Sequence, residues 1–138
     1  MAWDFETEPG FQQKLDWMEG FVREKVEPLG LLDLHPYDVK NPRRNALVRP
    51  LQDEVKRQGL WACHLGPELG GQGYGQVKLG LMNEILGGAS FAPIVFGCQA
   101  PDTGNAEIIA HYGTPEQKTR YLEPLLQNEI VSAFSMTR

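Results

Sequence analysis

The chain has 138 residues, enough for one domain, with 41% hydrophobic and 22% charged residues. A net charge of −5 argues against nucleic acid as the main partner, because phosphate contacts need clustered Lys and Arg. No apolar run approaches the roughly 20 residues of a membrane helix, and the acidic start "MAWDFETEPG" lacks the basic and apolar regions of a signal peptide. The expected location is therefore cytoplasmic.

The first predicted element is "PGFQQKLDWMEGFVREKVEPL". Phe11, Leu15, Met18, Val22, Val26 and Leu29 recur at steps of three and four, which makes one apolar helix face. Glu19 and Arg23 are spaced for an ion pair on the solvated side. Pro28 and Gly30 are expected to end the helix. The following "LLDLHPYDVKNP" reads as loop, on its prolines and its Asn-Pro step.

A second helix is predicted through "RRNALVRPLQDEVKRQGL", with Leu47, Leu51, Val55 and Leu60 facing inward. Pro50 either kinks it or marks its first turn, and Gly59 is a candidate C-terminal cap. The glycine-rich "WACHLGPELGGQGYG" reads as an irregular loop needing positive φ at several positions.

A third helix, "QVKLGLMNEILGG", would present Leu81, Met82, Ile85 and Leu86. A short fourth covers about Phe91 to Cys98, and a fifth follows Pro101, with Ile108 and Ile109 apolar and Gly113 as its stop. The sixth has the sharpest start: Thr114 as N-cap, Pro115 at the first position and Gln117 completing a capping box. Glu116 and Arg120 are spaced for another ion pair, and Pro124 should end the helix or loosen it. A strand begins near Glu129. Along it Ile130, Ser132, Phe134 and Met136 alternate with Val131, Ala133, Ser135 and Thr137. The pattern predicts an all-α domain of five to six helices with one short terminal strand.

Self-sufficient chemistry is not evident. The glycine-rich loop lacks the spacing of a dinucleotide fingerprint, and Gln76 stands where a P-loop needs Lys. His35, His64 and His111 are too scattered for a metal site, and none is expected. Cys63 and Cys98 form no disulfide framework and are expected buried and reduced. The serines lack a nucleophile-elbow context. Glu19, Glu24, Glu54 and Glu116 fall on faces expected to be solvated.

Three segments in order carry a resemblance: "GLWACHLGPELGGQGYGQVKLGLMNEILG", "QAPDTGNAEIIAHYGTPEQKTRYLEPLLQNEI" and "SAFSMT". With the amphipathic first helix, they resemble the N-terminal helical domain of the flavin-dependent acyl-CoA dehydrogenases. The first segment is similar to the family's glycine-rich loop and the helix after it. The second is similar to its G-T-x-E-Q-K-x-x-Y-L-x-P-L-L-x-G-E-I element, with Asn128 in place of the usual glycine.

The resemblance covers essentially the whole chain. It implies an N-terminal helical domain over residues 1–138, with 129–138 starting a middle β-domain. The middle β-domain and C-terminal helical bundle would be absent. It implies FAD as cofactor and removal of two hydrogens across Cα–Cβ of an acyl-CoA. A carboxylate from the C-terminal domain would take the α-proton, so no catalytic residue is expected here.

Phe134, Met136 and Thr137 would border the flavin, with the Thr137 hydroxyl near N5. Phe96, Ala100, Pro101 and Gly104 would line the acyl tail. Homo-oligomers or a partner subunit of the same family are implied. Arg138 departs from the family's Glu after the threonine, which suits a truncated chain inactive by itself. The competing expectations are a docking module, half of a split enzyme, or a stand-alone helical protein.

Overall fold

The computed structural model describes residues 6–69 and 71–136. Thr137 and Arg138 lie outside the described residues. The chain folds as helices: α1 (Pro9–Phe21), α2 (Pro42–Arg57), α3 (Gln76–Leu86), α4 (Ala92–Val95), α5 (Asp102–Tyr112), α6 (Pro115–Gln117) and α7 (Glu123–Leu126). Among the described residues there is no strand; 131–136 runs without a ladder, because no described segment lies beside it as a partner strand.

The first apolar face is buried as its periodicity predicts. Phe11, Leu15, Met18, Val22, Val26 and Leu29 are all 8% exposed or less. Its helix does not stop at Pro28. The winding widens to a π segment at Val22–Val26, then tightens to a 3-10 turn at Glu27–Leu31. Pro28 has no N–H to give and crowds the preceding turn, so a change of pitch keeps the chain helical where an α-helix would break. The same device recurs before Pro124. A π segment at Lys118–Leu122 leads into α7, which holds that proline.

In α2 the inward face differs from expectation. Arg44, Val48, Gln52 and Val55 are buried, while Leu47 is 38% exposed. Two polar side chains take inner positions because partners there satisfy them. Arg44 donates through Nε to the Pro36 carbonyl, through Nη1 to Asn45 and through Nη2 to Asn128 Oδ1 at 2.9 Å. Gln52 Nε2 donates to the Ile94 carbonyl at 3.0 Å and to the same Asn128 oxygen at 3.1 Å. Asn128 is itself buried, with φ +54°. Asparagine tolerates that left-handed conformation better than most residues, so it can stand at a glycine-like position while adding an acceptor.

Helix ends follow local chemistry. Asn41 Oδ1 accepts from the Arg43 and Arg44 amides, so α2 starts at Pro42 and Pro50 is interior, on an exposed face. At the other end Leu60 N–H donates to Val55 O and Gly59 N–H to Lys56 O. That is a Schellman cap, with Gly59 at φ +67° and Leu60 buried. Thr114 and Gln117 form the expected capping box. Neither Glu19–Arg23 nor Glu116–Arg120 is an ion pair; the pairs among the described residues are Arg57–Glu54 and Lys78–Glu8. Glu19 and Glu116 are exposed, where such a pair contributes little against side-chain entropy.

The core divides in two. The larger part joins α1, α2, α3 and α4 through residues such as Met18, Val48, Met82, Ile94 and Phe96. The smaller sits beneath α5, where Ala106 and Ala110 meet Leu122 and Leu125. On α5 small residues face inward, so Ile108 is left 56% exposed and Ile109 half-buried, unlike the apolar face expected.

Asn128→Ala should lower the free energy of unfolding by about 2–4 kcal/mol. It strands Arg44 and Gln52 in the interior and strains a positive-φ position. Asn128→Gly should cost about 1 kcal/mol less, since only the strain is relieved. Urea unfolding followed by circular dichroism checks both, and losses below about 0.5 kcal/mol would remove the node's structural role.

Candidate functional site

The segment after Asn128 is extended, and extended chain needs a partner for its backbone. Asp102, 4% exposed in the first turn of α5, supplies one. Its Oδ1 accepts from the Ser132 amide at 2.7 Å and also from the Ser132 hydroxyl. Its Oδ2 accepts from Gln99 Nε2 at 2.8 Å, and Asn105 Nδ2 donates to Ser132 Oγ at 2.8 Å. Asp102 and Asn105 thus tie Ser132 to the start of α5, with Gln99 bracing Asp102. Hydrogen bonds to a charged group are the stronger kind, so this is a firm anchor.

The consequence is an approach between two positions far apart in sequence. A Cβ on Gly104 would lie 3.7 Å from the Phe134 ring. Phe134 is 55% exposed and Met136 89% exposed, so the segment presents an apolar outer surface. Beside it a groove of about 350 Å³ runs between α5 and residues 130–133, lined by Ile108, Ile109, Tyr121 and Val131.

The structure therefore brings Gly104 and Phe134 together. Phe96 is elsewhere. It is fully buried in the larger core, edge-on to Phe21 with ring centroids 6.1 Å apart. Ala100 is exposed, and its carbonyl accepts from the Tyr37 hydroxyl at 3.4 Å. Pro101 is half-buried, behind a cis peptide bond. Thr137 lies outside the described residues. Asp102, Asn105 and Ser132 are not legible as site residues in sequence. The signal available is an acidic residue opening a helix directly after a proline, which reads equally well as a favourable charge at a helix start.

A second concavity, of about 280 Å³, lies on the other side of α5 between the glycine-rich loop and the start of α3. Cys63, His64, Glu68, Glu107 and His111 border it. The loop is fixed by close approaches. A Cβ on Gly71 would fall 2.0 Å from the Leu65 carbonyl oxygen, and Tyr74 donates to the Gly59 carbonyl at 2.6 Å. Both ring nitrogens of His64 are buried without a hydrogen-bond partner. Burial pushes its pKa below the ordinary 6.5, with Glu107 opposing. Among the described residues no group of His, Cys, Asp and Glu is arranged to hold a metal ion, and no helix is long and apolar enough to cross a membrane.

The family model for the acyl-CoA dehydrogenase N-terminal domain matches residues 12–129. Acyl-CoA dehydrogenase family member 10 of Mus musculus is 36% identical over 135 residues, covering 94% of this chain and 13% of that protein. Acyl-CoA dehydrogenase family member 11 of Pongo abelii is 48% identical over 91 residues, covering 66% of this chain and 11% of that protein. A solved structure from Mycobacterium abscessus, assigned to the acyl-CoA dehydrogenases, superposes with a TM-score of 0.73 at 29% identity. The match covers 91% of this chain and 33% of that one. The chain thus spans a small part of the length of these proteins.

The His64 environment has a pH consequence. Its folded pKa is depressed, so the unfolded chain takes the proton first. Stability is unaffected above about pH 6.5 and falls as pH drops below it toward the folded value. His64→Gln should therefore show a shallower acid-side loss in denaturant midpoint between about pH 7 and 5 than the parent chain. Parallel slopes for the two proteins would contradict it.

Proposed function

Because this chain belongs to the acyl-CoA dehydrogenase family through its N-terminal helical domain, we propose that it supplies one wall of a flavin and acyl-CoA site. Residues 1–138 act as the N-terminal domain, with 129–138 leading into a middle β-domain. The reaction is oxidation of the CH–CH bond of an acyl-CoA thioester, in the cytoplasm, within a homo-oligomer or with a partner subunit of the same family. FAD, when bound, supplies the hydride-accepting chemistry.

The observation that carries the reading is the approach of Gly104 to Phe134, which unites a position assigned to the acyl tail with one assigned to the flavin edge. Fit to a flavin is supported by Phe134 and Met136, whose exposed apolar side chains on an extended segment suit the face of a flat aromatic ring. Thr137 would donate its hydroxyl beside them. Gly104, Ala100 and Pro101 keep the neighbouring space free for an acyl tail, while Phe96, buried against Phe21, is left out of that lining. This chain's part is binding, orientation and exclusion of water. The α-proton is taken by a carboxylate outside it, since Glu19, Glu24 and Glu116 are exposed on outer faces and Glu54 pairs with Arg57.

The exposed strip of Ile108, Tyr112, Tyr121, Ile130 and Val131 supports a second reading, a docking module for an intact family member. Both readings need that strip covered, but only the first needs Gly104 small.

In a polypeptide carrying this sequence ahead of middle and C-terminal domains, Gly104→Leu should lower kcat/KM for long acyl chains about 10–200-fold relative to short ones. Dye reduction with a chain-length series measures it. An equal loss at every length would assign Gly104 to helix packing alone.

A further inference from the structure

The two cysteines, each ordinary in sequence, are neighbours in the fold. Ala62 N–H donates to the Phe96 carbonyl at 3.1 Å, which joins the residue before Cys63 to the turn before Cys98. The turn is tight on both sides. Ala62 has φ +49° and Gly97 φ +66°, and a Cβ on Gly97 would come within 2.7 Å of the Trp61 ring. Cys98 N–H is held by the Pro93 carbonyl at 2.9 Å. That backbone bond sets the two cysteine-bearing turns side by side, and each thiol is the first influence on the other's proton affinity.

Access is the second requirement of a reactive thiol. Cys63 is only 2% exposed in total, yet it borders the 280 Å³ concavity with His64 and Glu107, which is open to a molecule the size of a peroxide. We propose that Cys63 and Cys98 are a redox-active pair that closes to an intramolecular disulfide when a hydroperoxide enters that concavity.

The roles of the two sulfurs differ. Interaction with Cys98 lowers the Cys63 pKa, while interaction with Cys63, together with burial, raises Cys98 well above the ordinary thiol value. Cys63 is therefore the more readily ionised of the two, and the thiolate is the form that attacks. Its sulfur bonds to one peroxide oxygen as the O–O bond breaks, leaving a sulfenic acid and hydroxide. Cys98 then attacks the Cys63 sulfur, its proton passes to the departing hydroxide, and water leaves. Two thiols and one hydrogen peroxide give one disulfide and two waters, with sulfur oxidised and peroxide reduced. The backbone bond between Ala62 and Phe96 already holds the two cysteine-bearing segments together, as a disulfide's short Cα–Cα span requires. The bond would staple the start of the glycine-rich loop to the turn ahead of α5, the helix that carries Asp102 and Gly104. The pair needs neither flavin nor acyl-CoA to react.

The test treats the reduced 138-residue chain with hydrogen peroxide at neutral pH, quenches it, unfolds it and labels free thiols before measuring intact mass. The expected product is a monomer that takes no label, with a bridged peptide joining Cys63 and Cys98. It should form at least tenfold faster in the folded chain than in the same chain in denaturing urea. In Cys98→Ser, with helix content confirmed by circular dichroism, oxidation should instead halt at a sulfenic acid on Cys63 that dimedone traps. Equal or slower bridging in the folded chain would overturn the proposal. So would accumulation of Cys63 sulfenic or sulfinic acid in the parent chain without a bridge, or disulfide-linked dimers as the main product.

Discussion

A single side-chain oxygen, Asn128 Oδ1, holds two halves of this domain together. Arg44 and Gln52, both from α2, donate to it inside the protein. A buried guanidinium needs its donors filled, and among the described residues no carboxylate is hydrogen-bonded to this one; carbonyl and amide oxygens accept from it. Burial lowers the Arg44 pKa, with Arg49 pushing the same way and Asp38 opposing. The backbone at 128 must turn through a left-handed conformation to bring that oxygen inward. The position where α7 gives way to extended chain is therefore set by α2, not by local sequence. Trp61 adds a second tie at the same end, donating to the Leu126 carbonyl at 3.1 Å.

With Asn128 fixed, Asp102 sets the path of the extended segment. Its carboxylate stands where a neighbouring strand's carbonyl would stand in a sheet, accepting the Ser132 amide. Residues 131–136 have no ladder, yet their start is held by a buried charged acceptor. The two anchors act in series, and together they determine that Phe134 meets Gly104. An apolar wall assembled this way is preorganised, which is what a site needs if other chain is to complete it.

Much of the fold is legible in the sequence. The face of α1 follows from spacing alone, since apolar side chains at helical period have one place to go. The capping box at Thr114 and the Schellman cap at Gly59 follow from local chemistry, which short segments contain in full. The inner face of α2 is not legible, because Arg44 and Gln52 look solvated until Asn128, 84 and 76 positions away, is placed beside them. Pro28 reads as a helix end and Pro124 as an end or a loosening; a wider π turn ahead of each keeps the chain helical, which a rule about breakers anticipates only at Pro124. Phe134 and Gly104 can be named through resemblance, but their contact depends on Asp102 and Ser132, whose pairing is purely tertiary. Cys63 and Cys98 look inert because spacing carries no sign of the backbone bond from Ala62 to Phe96 that sets their turns side by side.

Asp102 holds the 131–134 segment against α5 and so builds the wall. Amide hydrogen exchange at Ser132 tests this most directly, by NMR on the parent chain and on Asp102→Ala and Asp102→Asn. Exchange should be slow in the parent and fast in the alanine variant. In the asparagine variant protection should be largely restored, because its oxygen still accepts the Ser132 amide and the Gln99 amide, whose Nε2 faces Oδ2, can turn over to accept the new N–H₂ through its unpartnered Oε1. Protection on α2 should stay unchanged throughout. Exchange at Ser132 as fast in the parent chain as in the alanine variant would contradict this anchoring role.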